Sequence, residues 1–173
     1  MKFKNGIVVA LLVLCISLSG CSGTKTVDYQ TADYGMSKTQ LVEKVGSDPN
    51  EETTDENGTD QFIYKKSKYL DFTGQMTYYS MDDRILFTRW ESTVKDAKEA
   101  KKMYDAIVES MKDSYTNAGE ETTEESNYSY IWSENGRTTT VAYLQETEHV
   151  RVSITEVNQD AQSATPENTQ ETE

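Results

Sequence analysis

The sequence predicts an α+β fold made of two α-β-β-β units, a mostly antiparallel sheet with the helices packed on one face. Three observations predict it. A capped helical segment, GMSKTQLVEKVG at residues 35–46, is followed by three runs of strand character. A longer stripe of apolar residues at three- and four-residue spacing begins after Asp96, and three more strand-like runs follow it. The last run, HVRVSITEV, alternates cleanly between apolar and polar residues, as a strand does with one wet face. Helices on one side of an antiparallel sheet are the simplest way to bury both sets of apolar side chains.

The chain opens with Lys2 and Lys4, then runs almost wholly apolar from Ile7 to Leu18 before small residues take over. This is the pattern of a secretory signal peptide over residues 1–20, and the apolar run is shorter than the ~20 residues a spanning helix needs. Leu18-Ser19-Gly20-Cys21 resembles a bacterial lipobox. The resemblance implies a diacylglyceryl thioether on Cys21, cleavage before it, and an extracytoplasmic domain held to the cell membrane by its lipid. Two acyl chains anchor stably where one would be marginal. Cys15 would leave with the signal, so no disulfide and no thiol chemistry are expected of the mature domain. Residues 21–33 read as a polar tether.

The whole chain has 17 basic and 30 acidic residues, a formal charge of −13, and the only basic residues in the signal are Lys2 and Lys4. Such acidity excludes nucleic acid as a partner and keeps a tethered domain soluble.

The first unit is expected over residues 34–92. Ser37 and Gln40 have capping-box spacing, Met36 and Leu41 that of a hydrophobic staple, and Gly46 suits a left-handed helix end. The acid-rich SDPNEETTDENGTD reads as a loop. DQFIYKK, GQMTYYS and RILFTRWES read as strands, with a turn at Asp82-Asp83. In the third strand Ile85 and Phe87 are expected on one side, Leu86 and Trp90 on the other.

The second unit is expected over residues 93–157. Asp96 and Glu99 mark a helix start, and Ala100, Met103, Tyr104, Ile107, Val108, Met111 and Tyr115 form the stripe, which predicts a helix to about Ala118. EETTEES reads as a second acidic loop. NYSYIWSE puts Tyr128, Tyr130 and Trp132 on one face, Asn135-Gly136 favours a two-residue type I′ turn, and RTTTVAYLQ returns antiparallel. Val150, Val152 and Ile154 then alternate with His149, Arg151, Ser153 and Thr155. Residues 158–173 read as a disordered acidic tail.

The lipobox, the short polar segment, Gly35-Met36-Ser37, Gln40-Leu41-Val42, Gly46 and Pro49, followed by aromatic-rich strands, together resemble the SmpA/OmlA lipoproteins of β-barrel assembly. They also resemble the fold group of the β-lactamase inhibitory proteins, which hold two such units in tandem. The likeness covers residues 34–91, and the spacing Val45-Gly46-Ser47-Asp48-Pro49 is one residue longer than the family's compact helix end. The resemblance implies a binding or scaffold module without catalysis, and it carries over no named partner.

Chemistry-bearing motifs are few. DENGTD at 55–60 fails as a calcium loop, because alignment on Gly58 puts Thr53 at the first ligand position and Tyr64 at the twelfth. His149 is the sole histidine and falls on a polar strand face with no nucleophile nominated beside it. No catalytic residue, metal site or cofactor is therefore expected. The row Tyr128, Tyr130 and Trp132 reads as core against a helix, or alternatively as an exposed platform for a partner. The reading is a membrane-anchored, non-catalytic interaction or scaffold module with an envelope-protein partner. The alternatives are an inhibitor that plugs an enzyme with loop 47–60 or 119–126, and a ligand-binding lipoprotein, which a pocket with convergent polar groups would favour.

Overall fold

The computed structural model describes residues 24–159. Cys21, the signal segment and residues 160–173 lie outside that span. In chain order the elements are β1 (Val27–Asp28), α1 (Lys38–Val45), β2 (Glu51–Thr54), β3 (Asp60–Tyr69), β4 (Phe72–Met81), β5 (Arg84–Val94), α2 (Ala97–Lys112), β6 (Glu120–Glu124), β7 (Asn127–Glu134), β8 (Arg137–Gln145) and β9 (Val150–Asn158). All nine strands belong to one sheet in the order β1-β3-β4-β5-β9-β8-β7-β6, with β2 also paired to β3. Only β1 pairs in parallel.

This corrects the expected α+β class. The described residues form a large mixed sheet, 50% strand and 18% helix. Each acidic segment expected to be a loop contributes a strand: Glu51–Thr54 pairs with β3 and Glu120–Glu124 with β7. Every residue of these two strands is exposed, so they are held by the backbone ladder, with surface ion pairs of Glu51 and Glu52 added in β2, and no apolar alternation reveals them. The expected boundary at residues 92 and 93 falls inside β5, which pairs with β9 from Phe87 to Val94 and joins both halves of the sheet.

The described part of the expected tether, residues 24–33, contributes to the fold. Val27 is 6% exposed and Ala32 1%, and Tyr29 packs edge-on against Tyr69 with ring centroids 4.8 Å apart. At the other end, β9 includes Asn158, and the Gln159 amide donates to the Gly136 carbonyl.

The helix ends follow their local chemistry. Ser37 and Gln40 exchange both capping-box hydrogen bonds, and Gly46 closes α1 at φ 72°. Asp96 caps α2 by accepting from the Lys98 and Glu99 amides. That helix stops at Lys112 rather than near Ala118. Tyr115 instead turns back to stack on Trp132 at 5.3 Å and donates to the Thr139 hydroxyl, a packing that a continued helix would forgo.

Register places Phe62, Tyr64, Met76, Tyr78, Trp90, Ile154, Val152, Val141, Tyr143 and Trp132 on one inner face. Helix α2 covers it with Met103, Tyr104, Ile107 and Met111, while Leu41 of α1 joins the same core. Lys38 of α1 lies over the inner-face Phe62 ring. Two bulges adjust the alternation. In β3 an irregularity between Tyr64 and Ser67 leaves both residues buried. In β5 Ile85 pairs with Ser80 and Phe87 with Tyr79, so the extra residue Leu86 splits Ile85 from Phe87. Ile85 is fully buried and Phe87 faces outward, whereas strict period two had put them on one side.

Candidate functional site

On the inner face, where the N-terminal segment meets the end of α2, lies a cavity of about 510 Å³. Tyr29 and Thr31 come from the segment after β1, Tyr69 from the end of β3, and Met111, Ser114 and Tyr115 from the end of α2 and the turn beyond it. Glu134, Asn135 and Arg137 come from the β7–β8 hairpin, and Glu156 from β9. Asn135 at φ 52° and Gly136 at φ 72° make the tight turn expected of that pair, which brings Glu134 and Arg137 to the cavity.

Glu156 is the unusual member. It continues the alternation Val150, Val152, Ile154 onto the buried face and is 2% exposed. Its Oε1 accepts a 2.9 Å hydrogen bond from the Tyr29 hydroxyl, while Oε2 is buried without a partner. Burial pushes this carboxyl above its ordinary range; the Tyr29 hydrogen bond and the Arg137 charge pull it partly back. Arg137 sits with its guanidinium 5.3 Å from the centre of the Tyr34 ring, and the Tyr34 hydroxyl is likewise buried and unpartnered. Burial raises the Tyr29, Tyr69 and Tyr115 hydroxyls above the usual phenol range, so all three are neutral donors at physiological pH. The cavity is therefore lined by a carboxyl group with one buried, unpartnered oxygen, by aromatic side chains and by one cation.

The residues singled out from sequence lie elsewhere. Trp132 is fully buried, stacked between Tyr115 and Tyr130. Tyr128 and Tyr130 are half-buried at the edge of α2, beneath Lys101 and Lys112. The row is thus packed against the helix, with only its two tyrosine margins reaching solvent. His149 pairs with Glu146, which also holds Arg151 at 2.8 Å. In the former calcium candidate, Asp55 accepts from the Asn57 and Thr59 amides and shapes the β2–β3 turn. Among the described residues no group of three or more His, Cys, Asp or Glu side chains is placed to hold a metal. No helix of the described residues is long and apolar enough to cross a membrane.

Sequence reasoning missed Glu156 and Tyr29. The signal for Glu156 was present, since extending the alternation of β9 by one step puts a carboxylate among core residues. Tyr29 had none, because a strand of two residues shows no period.

The opposite face of the sheet is a second feature. Across its centre Ile63, Arg89 and Ile131 lie in one row, with Thr77, Thr155 and Thr140 between them. In the neighbouring row Tyr79 and Phe87 stack at 4.0 Å, Val157 follows, and Arg89 reaches over the Tyr79 ring. These apolar side chains are half-buried. Comparison with protein-family models, curated proteins and solved structures returned no match to this chain.

Proposed function

We propose that this chain is a lipid-anchored extracytoplasmic protein that acts as a non-catalytic interaction module, docking an envelope-protein partner on the outer face of its sheet. The observation that carries the reading is the composition of that face. On a chain of net charge −13, its centre holds stacked Tyr79 and Phe87, Ile63, Ile131, Val157 and a run of threonines, with Arg89 as the central charge. Glu51 and Glu120 flank the row at its two ends and Glu91 lies beside Arg89 on β5, so the acids form a rim around a centre that is rich in aromatic groups and contains arginine, the composition of an interface core with a polar margin. The lipobox resemblance at Leu18–Cys21 supports the membrane address. Only residues 22–26 separate Cys21 from β1, so an extended linker of five residues would hold the domain within roughly 18 Å of the bilayer. In the segments considered for an inhibitor, 47–60 and 119–126, residues 51–54 and 120–124 are paired strands and the exposed turns are confined to the residues between them and their neighbours.

Photocrosslinking in intact cells tests the reading. A crosslinker at position 79 should give one discrete adduct, abolished by Phe87→Glu and retained when an exposed β2 residue such as Thr53 is changed instead. An adduct that survives Phe87→Glu, or none at all, would remove the outer face as the docking surface. Separately, incorporation of labelled palmitate should require Cys21; labelling of a Cys21→Ser variant would remove the anchor.

A further inference from the structure

We propose that the cavity floored by Glu156 is a binding site for a small ligand carrying a cationic amine, whose N–H donors satisfy the free oxygen of that carboxylate. A buried carboxylate oxygen without a hydrogen bond is costly, so a fold that retains one on a core face leaves a position for a donor. Glu156 is 2% exposed, its Oε1 is held by the Tyr29 hydroxyl, and its Oε2 has no partner while the residue lines a cavity of about 510 Å³. That volume suits a small organic molecule rather than a single ion or a macromolecule.

Charge and aromaticity select the sign. The cavity carries two carboxylates, Glu134 and Glu156, against Arg137, and the chain as a whole is strongly acidic. Its field therefore concentrates cations at the mouth. The lining includes the aromatic side chains of Tyr29, Tyr69 and Tyr115, and aromatic groups near a site favour an ammonium over an anion. Each of the two carboxyls already accepts one hydroxyl hydrogen bond, Glu134 from Thr116 and Glu156 from Tyr29, but only Glu156 has its second oxygen buried and unpartnered. Ligand binding here is independent of docking on the outer face, since the two features occupy opposite sides of the sheet.

Calorimetric titration of the full chain in detergent micelles with n-butylammonium, using n-butanol as its neutral counterpart, tests the site. Saturable binding of the amine, about tenfold tighter than the alcohol, is expected because a charge-assisted hydrogen bond replaces a neutral one. Glu156→Gln keeps an acceptor for Tyr29 and should weaken the amine about tenfold while leaving the alcohol unchanged. Equal affinity for amine and alcohol would show an apolar void only. Unaltered amine affinity in Glu156→Gln, or no saturable heat with the natural sequence, would equally overturn the proposal.

Discussion

Gly74 shows how tightly a single position can be fixed. A β-carbon built there would lie 2.3 Å from the Glu91 carbonyl oxygen and 2.7 Å from the Trp90 ring, both closer than any packed atom tolerates. Trp90 cannot yield, because it is fully buried and its indole N–H donates to the Ser67 carbonyl. Gly74→Ala must therefore separate β4 from β5 or move the indole, and should cost about 1–3 kcal/mol, the usual range for overpacking a rigid core. Urea unfolding checks it; a loss below about 0.5 kcal/mol would show that the sheet flexes freely at this crossing. Glu156 belongs to the same scale. Its burial is set by a period of two that any carboxylate would obey in that register, so its place in the core was legible. Its partner was not, because Tyr29 reaches it from 127 residues away.

Among the elements, those that bury a stripe were legible and those that only close a ladder were not. Helix α2, β8 and β9 announce themselves because a regularly spaced set of their side chains leaves water. The capping signals of α1 and the Asn135-Gly136 turn were equally direct, since each depends on residues adjacent in sequence. Strands β2 and β6 carry Glu and Thr throughout and bury none of them, so their composition is that of a solvated loop. The same composition has a consequence for association. Strand β6 ends the sheet, and an edge offers unpaired backbone groups to any other strand. Glu120, Glu121 and Glu124 place three negative charges on a five-residue edge, so a second copy brought alongside meets like charge. Replacing all three with Thr or Val should leave the fold intact and produce concentration-dependent association, measured by light scattering or sedimentation. A variant that stays monomeric at high concentration would assign edge protection to something other than these acids.

The whole molecule is held by one aromatic-rich core with no cysteine in the described span, and that core makes its stability depend on alkaline pH in a specific direction. Eight tyrosines, at positions 29, 34, 64, 69, 78, 79, 104 and 115, have hydroxyls pushed above the usual phenol range, in each case chiefly by burial. Tyr64 and Tyr104 are pushed up to about 12. Above pH ~10 the unfolded chain ionises these groups while the folded chain keeps their protons, so the folded state binds more protons and loses stability as pH rises. The stability is fully present below that pH and disappears as it climbs through the raised values. Alkaline unfolding should therefore be one steep transition in which tyrosinate absorbance and loss of β-sheet circular dichroism coincide. The acidic surface also favours unfolding by self-repulsion, and salt separates the two causes. Screening at high ionic strength weakens repulsion between exposed charges but barely touches the cost of burying a phenolate. A midpoint that stays within a few tenths of a pH unit in high salt would assign the transition to the core. Tyrosine ionisation near pH 10 with the sheet still folded would contradict the burial that organises the molecule.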